Sequence, residues 1–155
     1  MLGLKLAIVA VGRFGAKDPE RLLFETYAAR LKPPLEMIEV EERRLTGAAR
    51  QKREGELLLG AVPAGAAIVA MDGRGEVLSS EALAARLDRF RDQGVGRLAF
   101  LIGGADGHDE PVRSRAAFCY SFGAATWPHL MVRAMLAEQL YRAGTILDGH
   151  PYHRA

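Results

Sequence analysis

The chain alternates between short, almost wholly apolar runs and longer stretches whose apolar residues recur at helical spacing. Leu4–Val11 (LKLAIVAV), ending at Gly12, and Ala66–Met71 (AAIVAM), closed by Asp72-Gly73, lack period-2 alternation, the pattern of strands covered on both faces. Leu98–Ile102 is alike and runs straight into Gly103-Gly104. Leu35–Val40 (LEMIEV) instead alternates apolar and acidic residues, as an edge strand with one wet face does. Helices are predicted between these runs. Asp18-Pro19-Glu20 supplies an N-cap, a first-turn proline and an acid against the helix dipole; Leu22, Leu23, Tyr27 and Leu31 follow until Pro33-Pro34. A polar helix spans Thr46 to about Val62, with Gly55 a weak point inside it. Ser79 or Ser80 caps the next, which carries Leu83, Leu87 and Phe90 on one stripe and stops at Gly94. Asp109-Glu110-Pro111 opens a short helix predicted to reach about Cys119, and Tyr120–Ala125 reads as a last strand or extended loop. Pro128 introduces a final helix, His129 to Ile146, with Leu130, Ala134, Met135 and Leu140 on its apolar side. This order predicts an α/β fold, a mostly parallel sheet flanked by helices.

Composition narrows the class. With 155 residues, 49% apolar and 26% charged, a single globular domain over 1–155 is expected. A net charge of +2 does not announce a nucleic-acid binder, although Arg43, Arg44, Arg50, Lys52 and Arg53 cluster in one region. Cys119 stands alone, which excludes a disulfide framework. The run Leu6–Val11 is too short for a membrane span and lacks a signal peptide's charged start, so a cytoplasmic protein is expected.

Candidate chemistry gathers in three places. Gly103-Gly104-Ala105-Asp106-Gly107 follows a buried strand, the usual position of a ligand site in an open α/β sheet. It is no dinucleotide fingerprint: the spacing is GGxxG, the strand is the fourth, and no acid lies near position 124. No Gly-Lys-Ser/Thr occurs, which excludes a P-loop. Gly123-Ala124-Ala125-Thr126 is a run of small residues between Phe122 and Trp127, suited either to close packing or to a slot for a flat ligand. Glu138 and Arg142 stand four apart on the last helix, in ion-pair order, whereas Arg133 and Arg142 do not share a helix face. His150-Pro151-Tyr152-His153-Arg154 is richer in rings than a disordered tail should be. His150 and His153 could be two metal ligands with His129 as a third, but Pro151 breaks the helix that would align them and Cys119 is not placed as a fourth, so no metal is expected. Stacking on a base, or docking on a neighbouring subunit, suits such a segment better.

Together, Leu101-Ile102-Gly103-Gly104, Pro128-His129, Val132-Arg133, Ala137-Glu138, Leu140-Tyr141-Arg142-Ala143 and His150-Pro151-Tyr152-His153 resemble the ribosomal RNA large subunit methyltransferase H family. These are small methyltransferases of the knotted SPOUT superfamily that modify N3 of a pseudouridine in 23S ribosomal RNA. The resemblance spans the chain, and the HPYHR ending with its spacing from LYRA is its specific part. It implies a C-terminal trefoil knot, S-adenosyl-L-methionine as cofactor, a homodimer, and assembled ribosomes or large subunits as substrate. It also implies that Met71, Gly103, Gly104 and the loop Phe122, Gly123, Ala124, Ala125, Thr126 and Trp127 hold the cofactor.

Two departures stand out: Ala105-Asp106-Gly107 replaces an expected Pro-Glu-Gly, and Phe122-Gly123 an expected Leu-Ser. For catalysis a cation near the imide would favour its anion, with Arg142 and Arg133 as candidates. His129, Tyr152 and His153 are candidates for base contact or proton acceptance, His153 preferred because imidazole titrates near neutrality. Three alternatives remain open: a related knotted methyltransferase acting on another RNA such as transfer RNA, a catalytically silent RNA- or ribosome-binding protein of the same fold, and, third, a metal hydrolase.

Overall fold

A computed structural model describes residues 2–154. Five strands, β1 (Lys5–Val11), β2 (Glu36–Val40), β3 (Ala67–Val77), β4 (Arg97–Ile102) and β5 (Phe118–Ser121), form one sheet of order β2-β1-β4-β3-β5. Every pairing in it is parallel. The helices are α1 (Pro19–Arg30), α2 (Gly47–Ala61), α3 (Ser80–Asp92), α4 (Glu110–Arg115) and α5 (His129–Asp148), followed by a 3-10 turn, Pro151–His153. This is the α/β architecture that the hydrophobic pattern predicts.

The sheet explains why its central strands are apolar throughout. Leu98, Phe100 and Ile102 of β4 point to one face, where they pack with Phe24 of α1, Leu83 and Leu87 of α3 and Leu136 of α5. Ala99 and Leu101 point to the other and meet Leu58 of α2 and Val112 of α4. Side chains alternate along a strand, so burying both faces requires an unbroken apolar run. β2, at the edge, keeps Glu36 exposed.

Several boundaries differ from the sequence reading. β3 does not stop at Asp72-Gly73. Its pairing with β5 jumps from Met71↔Tyr120 to Glu76↔Tyr120, so residues 72–75 form a bulge and the strand resumes to Val77. α4 ends at Arg115 rather than near Cys119, and Cys119 pairs with Ala70 inside β5. Ser79 caps α3 as expected, accepting from the Ala82 amide at 3.0 Å. Asp18 does not cap α1 by its side chain; its carboxylate accepts from the Gly15 amide at 2.6 Å. On α5 the buried side is Ala134, Leu136, Ala137, Leu140 and Ala143, while Leu130 and Met135 are half-buried.

Gly55, the weak point of α2, has a packing reason. A Cβ there would stand 2.8 Å from Asp109 Oδ1, so the glycine lets the start of α4 approach.

Candidate functional site

The bulge of β3 and the carboxyl ends of its neighbours β4 and β5 converge on a cavity of about 530 Å³. Small-molecule sites measure about 300–1,000 Å³ and lie at this edge of open parallel sheets. β4 delivers the Gly103–Gly107 turn, in which the Gly107 amide donates to the Gly104 carbonyl at 3.0 Å. A Cβ on Gly103 would stand 3.2 Å from the Gly107 carbonyl carbon and from His108 Nδ1, so a side chain there would press the turn outward by a few tenths of an ångström. β5 delivers Phe122 to Trp127, with Gly123 at φ +103°.

All nine residues expected at a cofactor site line this one space: Met71, Gly103, Gly104, Phe122, Gly123, Ala124, Ala125, Thr126 and Trp127. His129, at the start of α5, lines it too. Arg142, Tyr152 and His153 do not. They lie where α5 meets the end of the chain. Arg142 donates to both oxygens of Glu138, from Nε at 3.0 Å and Nη2 at 3.0 Å, and lies 5.1 Å above the Tyr152 ring. The bond to Glu138 holds the Arg142 guanidinium firmly charged. Tyr152 Oη lies 3.3 Å from Tyr27 Oη and 3.4 Å from Glu138 Oε2. Burial, the Tyr27 bond and the Glu138 charge push its phenol up, so Tyr152 keeps its proton and acts as a donor. His153 Nδ1 is buried without a partner. Arg133 is fully buried and turned towards β1 and β2, away from Arg142.

Two further cavity residues, Asp72 and His108, are not among the site residues expected from the sequence, where Asp72 reads only as a turn. Asp72, in the β3 bulge, accepts from Arg74 at 3.0 and 2.8 Å, and Arg113 Nε approaches to 3.6 Å. The Arg74 bonds hold its carboxyl below the usual range, outweighing burial. His108, only 4% exposed, faces the Leu101 carbonyl with Nε2 at 3.0 Å, while Nδ1 is buried and unpartnered. A lone imidazole after a glycine turn reads as an ordinary loop residue. Only the fold shows it folded back on β4.

Burial lowers the His108 imidazole, against the raising influence of the Leu101 carbonyl and of Asp72 and Asp109. The unfolded chain takes this proton at roughly pH 6.5, the folded chain only at lower pH. Stability from His108 is therefore full above about pH 6.5 and is lost as pH falls towards the depressed folded value. Thermal melts of wild type and His108→Gln between pH 8 and pH 5 check this. The wild-type midpoint should fall more steeply on the acid side, and parallel curves would contradict it.

Among the described residues no group of three or more His, Cys, Asp and Glu is placed to hold a metal ion. No helix among them is long and apolar enough to cross a membrane.

A parallel sheet with a glycine-turned cavity of small-molecule size at its carboxyl edge defines a protein of the open α/β class. The chain belongs to the SPOUT methyltransferase family: the family described as "Predicted SPOUT methyltransferase" matches residues 4–153. It is 54% identical to the ribosomal RNA large subunit methyltransferase H of Rhodospirillum centenum, over 98% of this chain and 100% of that one. It is 53% identical to the protein of the same name from Paramagnetospirillum magneticum, over 97% and 99%. Among solved structures, a probable methylase family protein from Haemophilus influenzae superposes with a TM-score of 0.56 at 8% identity, covering 98% of this chain and 71% of that one. A likeness at that identity concerns the fold alone.

Proposed function

We propose that the chain transfers a methyl group from S-adenosyl-L-methionine to N3 of a pseudouridine in large-subunit ribosomal RNA. It acts on the assembled ribosome or large subunit, in the cytoplasm, as a homodimer. The reading is carried by the meeting of the β3 bulge and the turns after β4 and β5 at one glycine-walled cavity. The names of relatives matched end to end favour large-subunit RNA over transfer RNA.

The residues present fit an adenosyl group. Met71, Ile102 and Phe122 offer apolar contact to a purine, and the backbones of the Gly103–Gly107 turn and the 123–126 loop offer donors and acceptors for its edge. The departure at Gly123 leaves backbone to serve in place of a hydroxyl. The Ser121 hydroxyl orders that loop instead, accepting from the Gly123 amide at 3.1 Å. When bound, the cofactor supplies a methyl group already activated by its sulfonium.

The chain's own residues then align the nucleophile and manage charge. Arg142, held by Glu138, stabilises the oxygens of the imide anion, Tyr152 donates to the base, and His153 takes the N3 proton. These three serve the cavity of the second subunit. A homodimer is supported by a further concavity bordered by Leu23, Val77 and Met135, which shares Tyr120, Ser121 and Phe122 with the first. Leu23 and Val77 are 50% and 70% exposed, a surface that a second copy would cover.

The test supplies S-adenosylmethionine with a labelled methyl to ribosomes, large subunits, protein-free ribosomal RNA and transfer RNA. Label is expected at N3 of a pseudouridine in the first two. Label confined to transfer RNA overturns the reading. Arg142→Gln should lower turnover by about tenfold or more while cofactor affinity, measured by calorimetry, changes less than about twofold. Equal losses in both would place Arg142 in cofactor binding instead.

A further inference from the structure

One face of α2 is laid against the Gly103–Gly107 turn. Arg50 reaches Asp106 Oδ2 with both Nε and Nη2 at 2.8 Å. Gln51 Nε2 donates to the Asp106 carbonyl at 2.9 Å. One turn further along the helix, Glu54 is 5% exposed, and a Cβ on Gly104 would stand 2.8 Å from its Oε1. The next residue, Gly55, admits Asp109 from the segment that follows the turn. Positions 50, 51, 54 and 55 share one helical face.

The turn needs an external support. Glycines at 103, 104 and 107 leave its backbone free, and Ala105 fixes no φ angle. Inside it there is the single Gly107-to-Gly104 backbone bond. Residue 106 is tied to α2 through Arg50 and Gln51, and the Asp106 carboxylate, aimed at Arg50, is not left free for a ligand. Gln51 and Asp106 both line the cavity, so a shift of either alters its shape.

We propose that Arg50 and Gln51 are positioning residues for the cofactor cavity: through Asp106 they hold the glycine turn in its ligand-receiving form. The proposal rests on the adenosyl reading of the cavity for its ligand, but its structural half does not. The Arg50–Asp106 pair is about one-third exposed on both sides. Such pairs contribute little to global stability, so their effect should fall on the turn.

The test uses the 155-residue chain in four forms: wild type, Arg50→Gln, Asp106→Asn and the double variant. Amide hydrogen exchange at residues 103–107 is followed without ligand, and S-adenosylmethionine affinity is measured by calorimetry. Each single variant should speed exchange and weaken affinity by about three- to fivefold, with melting temperatures within about 2 °C of wild type. The double variant should be no worse than the single ones, because both remove the same contact. Wild-type affinity should also fall as salt is raised from about 0.05 to 0.5 M, and the double variant's should not. Unchanged exchange in the single variants, or losses that add in the double one, overturn the proposal. A wild type that binds no S-adenosylmethionine, while exchange still responds, overturns the adenosyl reading and leaves the brace standing.

Discussion

Arg133→Met is expected to lower folding stability by about 3–5 kcal/mol, the cost of breaking a buried charged pair from one side. For a chain of this size the melting temperature should fall by roughly 10 °C. Arg133 is 0% exposed and donates to Glu39 Oε2 at 2.6 Å and to the Val11 and Gly12 carbonyls at 3.2 and 3.1 Å. Its guanidinium also lies 4.6 Å from the Phe14 ring centre. Methionine fills a similar volume but leaves the Glu39 carboxylate facing no cation and two carbonyls without their donor. Glu39 also accepts from the Phe14 amide at 2.7 Å, so the loop after β1 loosens with it. Denaturant unfolding of Arg133→Met, Glu39→Gln and the double variant measures this. Removing the second charge should recover part of the loss. A single-variant loss under about 1 kcal/mol would show that the pair is solvated.

Gly75→Ala is expected to cost about 3 kcal/mol or more and to disturb the cavity rim. A Cβ at position 75 would lie 2.5 Å from both the carbonyl carbon and oxygen of Cys119 and 2.7 Å from the Tyr120 amide nitrogen. The obstacle is the backbone of the neighbouring strand, which cannot turn aside as a flexible side chain would, so β3 or β5 has to move. The same bulge carries Asp72 and Arg74 to the cavity, which ties the packing loss to the site. Cofactor affinity should fall together with the melting temperature. A stable Gly75→Ala protein with wild-type affinity would contradict this account of the bulge.

How much of this was readable along the chain depended on whether the deciding contact was local. Buried strands announce themselves because both faces are covered, and Gly103-Gly104 because a thin turn needs glycine. The β3 bulge was hidden: Asp72-Gly73 and the charges of Arg74 and Glu76 are turn chemistry, and only pairing with β5 makes the strand resume. Cys119, between Phe118 and Tyr120, fits a helix end as well as a strand until Ala70 is found opposite it. Arg133 reads as a candidate cation for the site, and Glu54 only as one more charge on a polar helix. Their burial follows from what the sheet places against them, 94 residues away for Glu39 and at Gly104. The helical spacing of Arg133 and Arg142 did foretell that they would part company. It could not say that Arg142, Tyr152 and His153 would gather outside the cavity of their own chain, because that depends on where the tail lies against Tyr27 and Glu138.

The only tryptophan in the chain stands in the wall of the cavity and is 40% open to solvent. An indole so placed emits according to whether water or a ligand lies beside it. The molecule thus carries its own optical gauge of occupancy, with no second indole to blur the signal.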